Sequence, residues 1–123
     1  MIEARKKALA AAHAAQEKKG QNVTIIDLEG RSSYTDYLVI VSTYSERQCA
    51  AVAESIFQTL RKTEGERPIS RNQDGVWVLL DYGDVVVHVF HEDARAYYEL
   101  DRMWADAPRI HLPAPVESWA TAQ

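Results

Sequence analysis

The sequence predicts one α/β domain built on a mixed β-sheet, with a β-hairpin and flanking helices. Strand-like runs and helix-like periodicities alternate along the chain, in the order helix, strand, strand, helix, strand, strand, helix. A helix between the second and third strands permits a parallel crossover, whereas the runs flanking Asp81-Tyr82-Gly83-Asp84 are joined tightly enough to form only an antiparallel hairpin. Finally, 123 residues, 46% hydrophobic and 26% charged, suffice for one sizeable core and not for two. Residues 1–112 are expected to form the domain and residues 113–123 a flexible tail.

Each element has a local reason. "MIEARKKALAAAHAAQEKKG" is Ala-rich, basic and amphipathic, as an organellar transit peptide would be. It lacks serine, carries Glu3 and Glu17, and runs straight into a strand signal, so it reads as the first helix. Gly20 is well placed to end it in the left-handed conformation. Its apolar face is mostly alanine, which predicts weak docking. "VTIIDL" (Val23 to Leu28) and "DYLVIVS" (Asp36 to Ser42) read as strands separated by the turn chemistry of "EGRSSYT". Ser45, with Gln48 three residues on, forms a capping box for a second helix. Cys49, Val52, Ala53, Ile56, Phe57 and Leu60 follow at helical spacing, and Gly65 and Pro68 stop the helix. Glu66 to Gly75 is a polar loop with room for a short edge strand at Ile69. Glu92 and Asp93 favour the start of a third helix by the dipole argument, with Tyr97, Leu100 and Trp104 as its stripe and Pro108 beyond its end.

The hairpin "WVLLDYGDVVVHVF" poses the functional question. With Gly83 and Asp84 as a two-residue turn, Leu80 faces Val87, Leu79 faces His88 and Trp77 faces Phe90, whereas a three-residue turn over Tyr82 to Asp84 would place His88 beside Val78. With the two-residue turn, one face is Val76, Val78, Leu80, Val85, Val87 and Val89, a core face. The other is Trp77, Leu79, Asp81, Val86, His88 and Phe90, which mixes aromatics, aliphatics, a carboxylate and an imidazole. Two readings fit: helices of this domain cover that face, or part of it, with the tip, docks a partner.

Composition narrows the function. Residues 1–73 hold eleven Lys and Arg against nine Asp and Glu, and residues 74–123 hold three against nine. An acidic C-terminal half favours a basic partner over nucleic-acid phosphates. The clusters Arg5-Lys6-Lys7 and Lys18-Lys19 read as a solvated helix face, able at most to touch RNA peripherally. Cys49, the single cysteine, reads as a core residue and suits a reducing cytosol. No apolar run reaches the ~18 residues a membrane helix needs. The spacing of His13, His88, His91 and His111 makes no metal signature, and no cofactor or glycine-rich phosphate loop is expected. Asp81 and Asp84 bracket the turn without a third carboxylate at recognisable spacing, so catalysis is not expected.

Four ordered motifs resemble the ribosomal silencing factor family, also called the Iojap family. They are "TDYLVIVS" at 35–42, "SERQ" at 45–48, "GVWVLLDYGDVVVHVF" at 75–90 and "RAYYELDRMW" at 95–104. The resemblance spans roughly residues 8–108. Departures are small: Tyr97 for the usual Phe, Asp101 for Glu, and Asp74-Gly75 for Glu-Gly. It implies a nucleotidyltransferase-like topology without that family's active site, and a cytoplasmic factor rather than an enzyme. It further implies binding to the large ribosomal subunit through its fourteenth ribosomal protein, a basic protein, so that the small subunit cannot join and translation falls when nutrients are short. Trp77 and Leu79 would be apolar anchors, Asp81 and Asp84 would meet Lys or Arg, and Tyr82 and His88 would fill the rim. When free, the same face would allow a homodimer. The rival reading is a degenerate nucleotidyltransferase-like protein that still binds nucleotide.

Overall fold

The computed structural model describes residues 3–74, 76–98, 102 and 104–112. In chain order the elements are α1 (Ala4–Glu17), β1 (Gln21–Asp27), β2 (Tyr37–Thr43), α2 (Glu46–Glu64), β3 (Ser70–Asp74), β4 (Trp77–Asp81), β5 (Val85–His91), α3 (Glu92–Tyr98) and β6 (Arg109–His111). The six strands form one mixed sheet in the order β3-β4-β5-β2-β1-β6. Only β2 and β5 pair in parallel, joined through α2; the other pairs are antiparallel. The expected α/β domain is therefore present, with two additions. The polar stretch before the hairpin forms a five-residue edge strand, and β6 closes the opposite edge.

β2 and β5 are apolar nearly throughout and are buried on both faces, as a central parallel pair must be. On the first face, Val39, Val41, Val78, Leu80, Val85, Val87 and Val89 pack against α1 and α2. The stripe of α2 buries Cys49, Val52, Ala53, Ile56 and Leu60, while Phe57 lies half-buried beneath the Arg71 guanidinium, 5.0 Å from the ring centre. Ser45 Oγ accepts the Gln48 amide at 3.0 Å, and Gly65, at φ 66°, ends the helix in the left-handed conformation. Val76 departs from its expected core position: it precedes β4 and is 46% exposed.

The first helix docks more closely than its composition suggested. Ala8, Ala11, Ala12, Ala14 and Ala15 are all buried, because small side chains let the helix backbone approach α2 and the sheet. Its terminus corrects the expectation for Gly20. The left-handed residue is Lys19, at φ 69°. Gly20 is needed for space: a Cβ there would sit 2.6 Å from Val41 Cγ1 and 2.9 Å from the Ala15 carbonyl oxygen.

Among the described residues, the second face is covered by α3 and by the turn around Trp104 and Ala107. Ile26, Leu28, Leu38, Ile40, Val86, Phe90 and Ala107 form its core, with Ala94 and Trp104 packed against it. Trp104 stands in a turn rather than on a helical stripe. The side chain of Tyr97, residue Leu100 and the tail 113–123 lie outside the described residues. Arg95 fastens α3 to the sheet, donating to the Asn22 carbonyl (2.7 Å), Ser42 Oγ (2.9 Å) and Thr24 Oγ1 (3.2 Å). Buried this way, the guanidinium spreads its planar donors over a bulge in β1, where Asn22 has φ 49°.

Gly20→Ala should destabilise the fold by about 1–3 kcal/mol through overpacking against Val41. Urea denaturation checks this, and a change under about 0.5 kcal/mol would show that the junction has slack.

Candidate protein-docking face

Of the two turns that the sequence allows, the hairpin takes the two-residue one. The Tyr82 amide donates to the Val85 carbonyl at 2.8 Å, leaving Gly83 and Asp84 as the two turn residues. Gly83 has φ 88°, the conformation that the first position of a type II′ turn demands. Asp81 Oδ1 accepts the Gly83 amide at 2.8 Å and fixes the turn from below. The resulting register pairs Trp77 with Phe90, Leu79 with His88 and Asp81 with Val86. Trp77, Leu79, Asp81, Val86, His88 and Phe90 therefore share the second face.

Burial on this face falls from the sheet centre outward. Val86 and Phe90 on β5 are fully buried, whereas Trp77, Leu79 and Asp81 on β4 are half-buried. The pairing of β3 with β4 sets Asp74 beside Trp77, Asn72 beside Leu79 and Ser70 beside Asp81. Asn72, Gln73, Asp74, Trp77 and Leu79 line a shallow depression of about 320 Å³. Its floor is an aromatic and an aliphatic group, Asp74 is the carboxylate in its lining, and Asp81 follows Leu79 along the same face of β4. Sequence reasoning missed the contribution of Asn72 and Asp74, because an all-polar strand carries no apolar period to reveal it.

Trp77 is held by its neighbours. Its ring stacks on Phe90 with centres 4.8 Å apart and planes at 22°. Its Nε1–H donates to His88 Nδ1 at 3.1 Å. His88 is only 7% exposed, so it lies behind Trp77 and not at the rim. Burial pushes its pKa down to about 4, with Asp81 opposing in part.

Tyr82 and Asp84 belong to the other side of the sheet. Tyr82 packs into the helix-covered core, and burial pushes its phenol up to about 12. Asp84 Oδ1 accepts from Lys7 Nζ at 2.8 Å, and Lys7 also lies 3.2 Å from Glu66 Oε1. Lys7 is 3% exposed, which removes it from the expected solvated cluster; Arg5 and Lys6 are exposed. Burial pulls its ammonium pKa down, but Asp84 and Glu66 together outweigh that and hold it above the ordinary lysine value. The signal was in the sequence: Lys7 falls at helical spacing on the stripe of Ala8, Ala11 and Ala15. The six candidates thus divide. Trp77, Leu79, Asp81 and His88 build the second face, while Tyr82 and Asp84 anchor the tip to α1. Asp81 and Asp84 point to different partners and do not converge.

His88 makes stability depend on pH. Between about 6.5 and 4 the unfolded chain binds a proton that the folded one refuses. Its contribution is therefore complete above 6.5 and is lost as pH falls through that window. From pH 7 to 5.5 the loss should be about 1 kcal/mol. Urea denaturation should find that loss in wild type and not in His88→Gln; equal losses in both would assign it elsewhere.

Comparison with known proteins gives this face a context. The family model described as "Ribosomal silencing factor during starvation" matches residues 1–123. The ribosomal silencing factor of Bacillus subtilis is 39% identical over 109 residues, covering 83% of this chain and 87% of the relative. That of Halalkalibacterium halodurans is 38% identical over 103 residues, covering 83% and 88%. The chloroplastic Iojap protein of Zea mays is 31% identical over 111 residues, covering 86% of this chain and 46% of that one. A crystal structure of a Chromobacterium violaceum protein superposes with a TM-score of 0.80 at 29% identity, covering 85% of this chain and 88% of that one. One from Bacillus halodurans gives 0.75 at 34%, covering 88% and 99%. The chain, with its α/β sheet and two-sided hairpin, belongs to the ribosomal silencing factor family.

Proposed function

We propose that this protein binds the large ribosomal subunit through the fourteenth large-subunit ribosomal protein and, seated there, keeps the small subunit from joining. The observation that carries the reading is the half-buried face of Trp77 and Leu79 between Asp74 and Asp81. An aromatic anchor beside an aliphatic one, flanked by carboxylates, suits a basic protein surface with an apolar recess. The carboxylates steer and orient the encounter, and the apolar pair supplies most of the affinity.

Silencing by this route requires no reaction. A body bound at the subunit interface occupies space that the small subunit needs, so its binding free energy opposes joining directly. Rigid presentation helps, because an ordered surface loses little conformational entropy on docking. Asp81 is tied to the turn through Gly83, and the turn is tied to α1 through Asp84 and Lys7. The setting we assign is the cytoplasm, acting when nutrients are limiting. Among the described residues no helix is long and apolar enough to cross a membrane.

Wild-type protein should co-sediment with purified large subunits and lower the joined fraction when small subunits are added. Trp77→Ala should weaken that binding by about 2 kcal/mol, roughly thirtyfold, with the fold intact by circular dichroism. A loss below about threefold would return Trp77 to the core. Asp81→Lys should slow association and make the remaining binding less sensitive to salt. Binding that falls steeply with salt and ignores Trp77→Ala would place the contact on ribosomal RNA instead.

A further inference from the structure

A tryptophan on a strand near a sheet edge can turn about two side-chain bonds, and only one orientation can match a given partner. Two rings restrict Trp77. Phe90, directly across on β5, stacks against the indole, and His88 stacks on Phe90 in turn, with centres 5.5 Å apart and planes at 20°. The His88 ring lies 5.7 Å from the indole, as the diagonal neighbour in the ladder. Stacking alone leaves the indole free to slide or flip in its plane. The hydrogen bond from Trp77 Nε1 to His88 Nδ1 removes that freedom, because it names which edge of the indole faces inward. An accepting Nδ1 requires a neutral imidazole with its proton on Nε2.

Resting on the docking face described above, we propose that His88 is a positioning residue. It does not touch the partner but accepts the Trp77 indole N–H from behind and so sets the anchor in its docking orientation before the partner arrives. Its burial fits that role: at 7% exposure it offers a partner almost no surface, while its Nδ1 is directed at the one large aromatic that lines the depression. The inner edge of the indole is thereby occupied, and Trp77 lines the depression from that fixed position. A leucine in place of His88 would fill the space but would give the indole no acceptor, whereas a glutamine would keep one. Presetting the rotamer means that docking does not have to restrict it.

The test uses the full-length protein, ¹⁵N-labelled, with the Trp77 indole resonance assigned through Trp77→Phe. In the wild type, long-range ¹⁵N correlation should find His88 protonated on Nε2 and unprotonated on Nδ1; the opposite tautomer overturns the proposal without any variant. His88→Leu should shift and broaden the Trp77 indole signal and weaken large-subunit binding about tenfold, a coupling of ordinary size for residues in contact. His88→Gln, which restores an acceptor oxygen, should recover most of both. Placed on Trp77→Ala, His88→Leu should cost less than about twofold more, since the two act through one anchor. Equal losses with and without Trp77 would show a merely structural role and overturn the inference. If Trp77→Ala itself binds normally, the docking reading fails, and the indole signal of the free protein still decides whether His88 sets the ring.

Discussion

The two central strands, β2 and β5, are apolar nearly throughout and buried along almost their whole length, and a strand pair of that kind has to be covered on both faces. Most of the architecture answers to this demand. Two long helices are spent on one face, where α1 uses alanines to lie close and α2 brings branched and small side chains. Among the described residues, the other face is covered by α3, clamped by Arg95, and by the turn carrying Trp104 and Ala107. That cover reaches β5 fully and β4 only in part. The candidate site is the place where the described cover thins out, so its half-buried character follows from how the helices are shared between two faces.

The hairpin tip shows how one short turn can serve both faces. Asp81 and Asp84 are three residues apart and do different work. Asp81 fastens its own turn through the Gly83 amide and stands beside the anchors on the second face. Asp84 reaches across to Lys7, which Glu66 also meets, so α1, the loop after α2 and the hairpin tip close on one buried ammonium. A buried ion pair of this sort contributes little net stability compared with an apolar substitute, because desolvation consumes much of the attraction. Its value lies in specifying one arrangement of the tip.

Much of this was legible in the sequence because local rules and global packing agree. The Gly83-Asp84 turn dictated the hairpin register, and the register dictated which residues share the second face. Ser45, Gln48 and Gly65 marked the ends of α2 through capping chemistry that needs no tertiary context. The failures have a common cause, which is contact between residues far apart in the chain. Gly20 looked like a left-handed terminator; only the approach of Val41 shows that it is there for space. Lys7 looked solvated because its partners sit 59 and 77 positions away. Nor does the sequence show that Tyr82 packs into the helix-covered core or that Asp84 meets Lys7, since both contacts are made with residues far away in the chain. The short edge strand expected at Ile69 runs instead over the polar Ser70–Asp74, and no strand was expected at β6; both form because neighbouring strands offer them a ladder. The family resemblance supplied the ribosome, which no composition or spacing contains.

The central claim is that one thinly covered sheet face, and not the helical layer, meets the ribosome. Amide hydrogen exchange of the protein bound to large subunits, compared with the free protein, tests it most directly. The account predicts new protection confined to β3, β4 and the hairpin tip, residues 70–84, with the exposed surface of α1 and α2 exchanging as before. Protection spread over α1 and α2, with residues 70–84 unchanged, would contradict it and move the interface to the opposite side of the sheet.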